Sequence, residues 1–498
     1  MAPPGRAIVN VRHEPPMNTL SRRAFTVGLG TTAGLALAPR RGLARQVLDD
    51  VSRLNATEID ALVPASSSAI IRDALERAAD RRLRVAIAGA RHSQGGHVTT
   101  AGGIVLDMRP YNRVLRVDAQ QQTAVVQPGA TWDDVQRAVN PLGLAVAVQQ
   151  ASNIFTVGGS VAVNCHGRDP RYGPIVDTVR SLTIMLADGR IVTASRTEHA
   201  PLFAATVGGY GLTGVVLEVE LLLEQDQWLE KTVVALPVGE FASWLTEHVL
   251  SNPEVRLHFA RPSIRSSDLL ERVIAVNYTR VPDDRAPQAP LTAETHIARN
   301  KTFMTLSRKS DTGKAVRWYL QESIGDRPRT TPPISRNNAM RPEVRFLDYR
   351  SPRDTDILQE YFIPLSAFTG FMTDLRRTVQ ARRINLLSVT LRPLKRDGLT
   401  VLPYARTRAA TGHMIAVVLY INVSRSESGT RTAEQWTREL VDIALGLDGT
   451  YYLPYQRWPT REQFVQAYPR AADLLALKRQ YDPDGRFSNR FFETYLAT

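Results

Sequence analysis

Apolar positions recur along this chain with two periods. Residues 66–81 place Ile70, Ile71, Leu75 and Ala78 on one face with charges opposite, the spacing of an amphipathic helix. Residues 84–88, 103–107 and 123–127 are short apolar runs beside glycine or proline, and they predict strands. Pro128-Gly129 reads as a turn, and Thr131 as the N-cap of a helix over 132–140. Strands are expected over 181–186 and 190–194, joined at Asp188-Gly189, and a longer strand ends near Leu223. From about residue 229 the texture changes, with polar, proline-rich connections at 281–290 and 326–335. The clearest strands there are 386–391 and 414–422, and the clearest helix is 433–445. A last helix over 461–480 is stopped by Pro483 and Gly485. The 498 residues are enough for two or three domains and a large core.

Two predicted strands run into glycine-dense turns. The first is Val85-Ala86-Ile87-Ala88-Gly89-Ala90-Arg91-His92-Ser93-Gln94-Gly95-Gly96. The second is Phe155-Thr156-Val157-Gly158-Gly159-Ser160-Val161-Ala162-Val163-Asn164-Cys165-His166-Gly167. Glycine there lets main-chain N–H groups approach an anionic ligand closely. Neither has the spacing of a nucleoside-triphosphate loop or of a Rossmann fingerprint. Gly208 to Gly214 is a third such stretch, either a ligand loop or a tight inter-strand turn.

Composition is that of a globular protein, 43% hydrophobic and 22% charged. The 62 basic against 49 acidic residues give a net charge of +13, which invites a nucleic-acid reading. The arginines are scattered, however, and no basic run is interleaved with aromatics. A solvated basic surface, with an anionic substrate, describes them better. The single cysteine, Cys165, excludes an intramolecular disulfide. Ser21-Arg22-Arg23-Ala24-Phe25, the small-residue stretch after it and the triplets Ala36-Leu37-Ala38 and Gly42-Leu43-Ala44 resemble a twin-arginine export leader. The apolar stretch is shorter than the ~20 residues of a membrane-spanning helix, so no stable span is expected.

The order of these motifs resembles the flavin domain of the vanillyl-alcohol-oxidase-type (PCMH-type) FAD-linked oxidases. The resemblance rests on Gly89-Ala90-Arg91-His92-Ser93, Thr156-Val157-Gly158-Gly159, His166-Gly167, Leu202-Phe203, Gly208 to Val216 and the closing stretch from Asp482 to Asn489. It implies an α+β fold: a two-part FAD-binding domain over 47–228, a substrate domain over 229–455, and a return to the first domain over 456–498, after a leader over 1–44. His92 stands where many members carry a covalent histidyl link to the flavin 8α carbon; the alternative is a hydrogen bond to phosphate or loop. Ile154 replaces the cysteine of doubly linked members, so a single link is expected, and Cys165 is read as a small buried residue near the ring. Other implied FAD contacts are Gln94, Asn164, His166, Gly167, Asp177, Val215, Val216 and Asn489, the last with helix capping as its alternative.

Ser388-Val389-Thr390-Leu391-Arg392 is similar to the substrate strand of alditol and aldonolactone oxidases, and implies that Arg392 contacts substrate. Two departures matter. Thr390 replaces an acid, and Pro454-Tyr455-Gln456-Arg457-Trp458 lacks that group's histidine and lysine. The general base must therefore come from elsewhere, with Tyr452, Tyr455, Lys395 and His166 as candidates. The 207–214 stretch also resembles decaprenylphosphoryl-ribose oxidase-like proteins, which lack the linking histidine. Cytokinin dehydrogenases share the histidine loop but carry a catalytic aspartate where this chain has Ala151. The resemblance thus implies an exported, periplasmic or secreted oxidoreductase that moves a hydride from a sugar, polyol or lactone CH–OH to flavin N5, with oxygen or another acceptor reoxidising the flavin. A small-molecule substrate and the twin-arginine machinery are its expected partners, and nucleic acid is not. The alternatives are amine oxidation and a non-catalytic carbohydrate-binding module.

Overall fold

Three of the four sheets among the described residues absorb most of the apolar pattern, the fourth being the short pair Gln46–Leu48 and Thr57–Ile59. In the computed structural model, residues 46–282, 287, 289–322, 332–409 and 412–497 are described; the leader expected over 1–44 lies outside them. Ala61–Pro64, Ile104–Asp107 and Val85–Ala88 form a parallel sheet with Ile104–Asp107 central. Its crossover helix, Ser68–Asp80, is capped by the Ser67 hydroxyl and buries Ile71, Ala74, Leu75 and Ala78. The C-terminal stretch returns to this sheet. Val85 N–H donates to Arg486 O at 2.7 Å, and Ser488 N–H to Val85 O at 3.0 Å, so Phe487 joins the edge in parallel.

The second sheet is antiparallel and centred on Val215–Gln225, whose residues alternate between buried and half-buried. Val179–Met185 and Ile191–Ser195 pair across the turn at Gly189, as expected. The Trp132–Val139 helix opens with a capping box in which Thr131 and Asp134 satisfy each other's backbone amides.

The third sheet has eight strands in the order Ile334–Ser335, Trp228–Pro237, Arg272–Arg280, Val255–Pro262, Leu386–Lys395, His413–Ser424, Asp354–Pro364 and Thr450–Tyr451. On three neighbouring strands, odd positions such as Val389, Leu391, Val417, Leu419, Ile357 and Tyr361 join a core with the Phe368–Ala381 and Glu427–Gly446 helices. Even positions face the other way, and that face becomes the wall of the site.

Two expectations change. The helix expected over 461–480 is two helices, Arg461–Ala467 and Ala471–Tyr481. Pro469 has no N–H to continue the first and holds Tyr468 out of the helical region. The Glu427–Gly446 helix starts earlier than expected because Ser426 caps it through Gly429 N–H. Among the described residues, no helix is long and apolar enough to cross a membrane.

Candidate active site

Residues of the three larger sheets line one cavity of about 1180 Å³. Small-molecule pockets are typically about 300–1,000 Å³, so this cavity lies above that range and has room for a large ligand. At one wall the two glycine turns meet. A Cβ on Gly89 would stand 2.2 Å from Thr156 Oγ1, and one on Gly158 would stand 2.5 Å from Pro128 Cβ. Only bare backbone allows that approach, and it leaves residues 89–94, Thr156, Gly158 and Gly159 all lining the cavity. Arg91, with φ +59°, and Tyr210, with φ +55°, also line it in a left-handed conformation that non-glycine residues seldom adopt.

His92 lines the same space, edge-on to Phe155 with ring centroids 4.8 Å apart. Burial pushes its pKa down to about 4, so at neutral pH the imidazole is uncharged and keeps a free lone pair. Ile154 and Ala151 line the cavity too. Cys165 does so while buried, and burial raises its thiol pKa, so it is no thiolate. The 208–214 stretch is not the tight inter-strand turn of the alternative expectation, since it joins the Ala200–Thr206 helix to the Val215–Gln225 strand. Gly208 and Gly211, at φ +74° and +73°, turn the chain between a helix and a strand, while Gly211 and Gly214 line the cavity.

Several residues expected at the cofactor are used by the framework instead and do not line the cavity. Asn164 donates to Asp397 Oδ2 at 2.8 Å and accepts from Val176 N–H at 3.2 Å. Gly167 lies against the Gln149 carbonyl, and Asp177 accepts from Gly173 N–H at 2.7 Å. Val215 belongs to the core of the parallel sheet, whereas its neighbour Val216, on the opposite strand face, does line the cavity. Asn489 caps the Arg490–Tyr495 helix and donates to Tyr210 O at 2.9 Å. Lys395 is exposed: three residues beyond Arg392, it points to the other strand face at the strand end.

The opposite wall is the even-numbered face of the third sheet. Ser388, Thr390 and Arg392 line it from one strand, Val418 and Tyr420 from the next, and Asp356, Leu358 and Glu360 from the one beyond. Register sets Thr390 beside Val418 and Glu360 beside Val418 from the other side. Glu360 escaped the sequence reading, although a lone acid amid Ile357, Tyr361, Phe362 and Ile363 is the available signal. It is 2% exposed. His166 Nε2 lies 2.5 Å from its Oε1, and the Tyr455 hydroxyl donates to its Oε2 at 3.0 Å.

Burial depresses the Arg392 pKa, and the charge of Glu360 is the foremost opposing influence. Burial lifts the Tyr452 and Tyr455 phenols well above 10, so both are donors at neutral pH. Tyr452 already donates to Val163 O at 2.9 Å. Neither phenol therefore suits the role of base. His166 Nδ1 and Arg392 Nε are buried without a partner among the described residues. Such orphaned groups, facing a glycine-walled cavity of this size, fit a large polar cofactor with substrate beside it.

A family model for an FAD binding domain matches residues 59–195. The chain carries a PCMH-type FAD-binding domain and belongs with the FAD-dependent oxidoreductases. It is 24% identical over 460 residues to a decaprenylphosphoryl-β-D-ribose oxidase of Mycolicibacterium smegmatis, covering 87% of this chain and 94% of that one. It is 30% identical over 179 residues to an L-gulonolactone oxidase of Mus musculus, covering 36% of this chain and 40% of that one. It is 35% identical over 149 residues to a glycolate oxidase subunit of Bacillus subtilis, covering 28% of this chain and 32% of that one. Against these last two it spans less than half of the relative's length, and against the first nearly all of it.

Proposed function

We propose that this flavoenzyme oxidises a CH–OH group of a sugar, polyol or lactone. FAD, when bound, supplies the two-electron acceptor. The backbone of residues 89–94, Gly158 and Gly159 would hold its phosphates, His92 would bear the covalent link, and Gly211, Gly214 and Val216 would flank it. A neutral His92 imidazole on a rigid turn supports the link, since a protonated ring has no free lone pair.

Glu360 carries the assignment of chemistry. Its carboxylate, held by His166 and Tyr455 beside Arg392, takes the substrate hydroxyl proton. His166 and Tyr455 orient it by hydrogen bonds, and the Arg392 guanidinium stabilises the negative oxygen that forms as the proton leaves. The aromatic packing of His166, Phe362, Tyr404 and Tyr452 fixes the imidazole and keeps water from the pair. The names of relatives acting on gulonolactone and glycolate agree with an alcohol donor. The arginine-pair leader motif supports export of the folded protein to the periplasm or beyond.

The test is anaerobic mixing of yellow holoenzyme with sugars, polyols, lactones and amines while the visible flavin band is followed. Bleaching by hydroxylated substrates is expected. Bleaching by amines alone would overturn the proposal.

A further inference from the structure

The chemistry proposed above needs the base Glu360 and the cofactor carried at His92 to stand at a fixed separation. Glu360 sits on the Asp354–Pro364 strand of the third sheet, and His92 on the first glycine turn. One side chain joins the two. Gln94, two residues after His92, is 5% exposed and lines the cavity. Its Oε1 accepts from Leu358 N–H at 2.8 Å, across 264 positions of sequence.

The sheet explains why that amide is available. The last strand, Thr450–Tyr451, pairs with Tyr361 and Phe362 and goes no further. Tyr452 N–H still reaches Glu360 O at 2.9 Å, but no strand lies along the outer edge beside Leu358. An edge amide left without an acceptor inside a protein costs free energy. Gln94 supplies the acceptor, two residues, or about 7 Å, along the strand from Glu360.

The main chain of Gln94 makes a second tie. Its N–H donates to Pro454 O at 2.7 Å, immediately before Tyr455, whose hydroxyl donates to Glu360 Oε2 at 3.0 Å. Its carbonyl accepts from Asn55 Nδ2 at 2.8 Å, and Gly95 O accepts from Arg457 Nε at 2.6 Å. A Cβ on Gly95 would stand 2.4 Å from Tyr455 O, so the turn and the Tyr455 segment lie in contact. The Glu360 carboxylate is therefore reached from Gln94 by two routes, one through the strand and one through Tyr455. Gln94 Nε2 has no partner among the described residues, which leaves its two donors to a group bound in the cavity.

We propose that Gln94 is a positioning residue: it fixes the first glycine turn, and so the flavin held at His92, against the strand that bears Glu360. This rests on the CH–OH reading and on Glu360 as the base. A substrate hydroxyl must meet Glu360 while its carbon meets the flavin, and a misplacement of about 1 Å costs up to about 10²-fold in rate. Gln94 itself moves no proton.

The test is anaerobic stopped-flow reduction of the Gln94→Leu and Gln94→Glu holoenzymes by D-glucitol, D-xylitol and L-gulonolactone from acid to alkaline pH. Flavin content and the visible circular dichroism of the flavin are measured alongside. Gln94→Leu should keep its flavin and its half-saturating substrate concentration within about twofold, while the limiting rate falls at least about tenfold at every pH and the flavin dichroism changes. Gln94→Glu keeps an acceptor for Leu358 N–H and should recover part of the rate. The proposal is overturned if the limiting rate of Gln94→Leu stays within about threefold of wild type. It is equally overturned by a loss confined to flavin content or half-saturation, or by a Gln94→Glu enzyme no faster than Gln94→Leu. Where Gln94→Leu does not fold, Gln94→Asn, a methylene too short for the strand, takes its place under the same criteria. If Glu360→Gln reduces at the wild-type rate while Gln94→Leu is slow, the base assignment fails and the positioning role stands. If none of the three compounds bleaches the wild type, the alcohol reading fails; a changed flavin dichroism in Gln94→Leu then sustains the positioning role, and an unchanged one overturns it too.

Discussion

Replacing Glu360 by glutamine keeps the shape of the side chain and removes its charge and basicity. In the native site the carboxylate receives His166 at 2.5 Å and Tyr455 at 3.0 Å. General-base catalysis is worth about 10²–10⁴-fold in rate, so flavin reduction should slow by that factor in Glu360→Gln. The variant also weakens hydrogen bonds to a charged acceptor, at most about 1.5–3 kcal/mol each, and leaves Arg392 with less countercharge. At roughly 2–4 °C per kcal/mol for a large domain, a fall of several degrees in Tm is expected. The assay is anaerobic stopped-flow reduction of the holoenzyme at saturating substrate, with flavin content measured in parallel. Glu360→Asp should recover part of the rate, because it restores a carboxylate slightly out of place. A Glu360→Gln enzyme that is fully flavinylated and reduces within about threefold of wild type would remove Glu360 from proton transfer.

Other outcomes can be checked separately. Arg392→Ala should slow reduction by about 10²-fold or more while flavin stays attached, and unchanged reduction would exclude it from the mechanism. His92→Ala should release its colour into the supernatant on acid precipitation, whereas wild type keeps a yellow pellet and a peptide around position 92 heavier by one FAD. Gly158→Ala should lower flavin occupancy and cost about 1–3 kcal/mol, since the added methyl meets Pro128 Cβ at 2.5 Å; full occupancy and an unchanged urea midpoint would contradict this. His258 is buried at Asn277, and burial depresses its pKa to about 4. The native state therefore binds fewer protons than the unfolded chain between pH 6.5 and 4. That stability is fully present above pH 6.5 and is lost towards pH 4, about 3 kcal/mol in all. Asp50 and Asp226, pushed up to about 6 mainly by burial, act in the opposite direction as pH falls. Urea midpoints from pH 7.5 to 4.5 should thus fall less steeply in His258→Gln than in wild type.

The local elements were legible from residue order, because their causes are local. Period and capping placed the Ser68–Asp80 helix, the Thr131 cap and the Ile191–Ser195 hairpin within a residue or two. The glycine turns are legible as well, since few residue types tolerate that backbone approach, and their order resembles that of a flavin domain. Pro469, lacking an N–H, divides the one expected helix into two.

The reacting end of the site was decided by tertiary structure. Glu360, His166 and Arg392 lie on separate segments up to 226 residues apart, and only the antiparallel register of the third sheet brings the first and last to one wall. Strand parity sent Lys395 outward while holding Arg392 inward, and side-chain hydrogen bonds drew Asn164 and Asn489 into the framework. A residue's type states what chemistry it is able to do. Which face it occupies, and which partner has already taken its hydrogen bonds, is settled only once distant strands have paired.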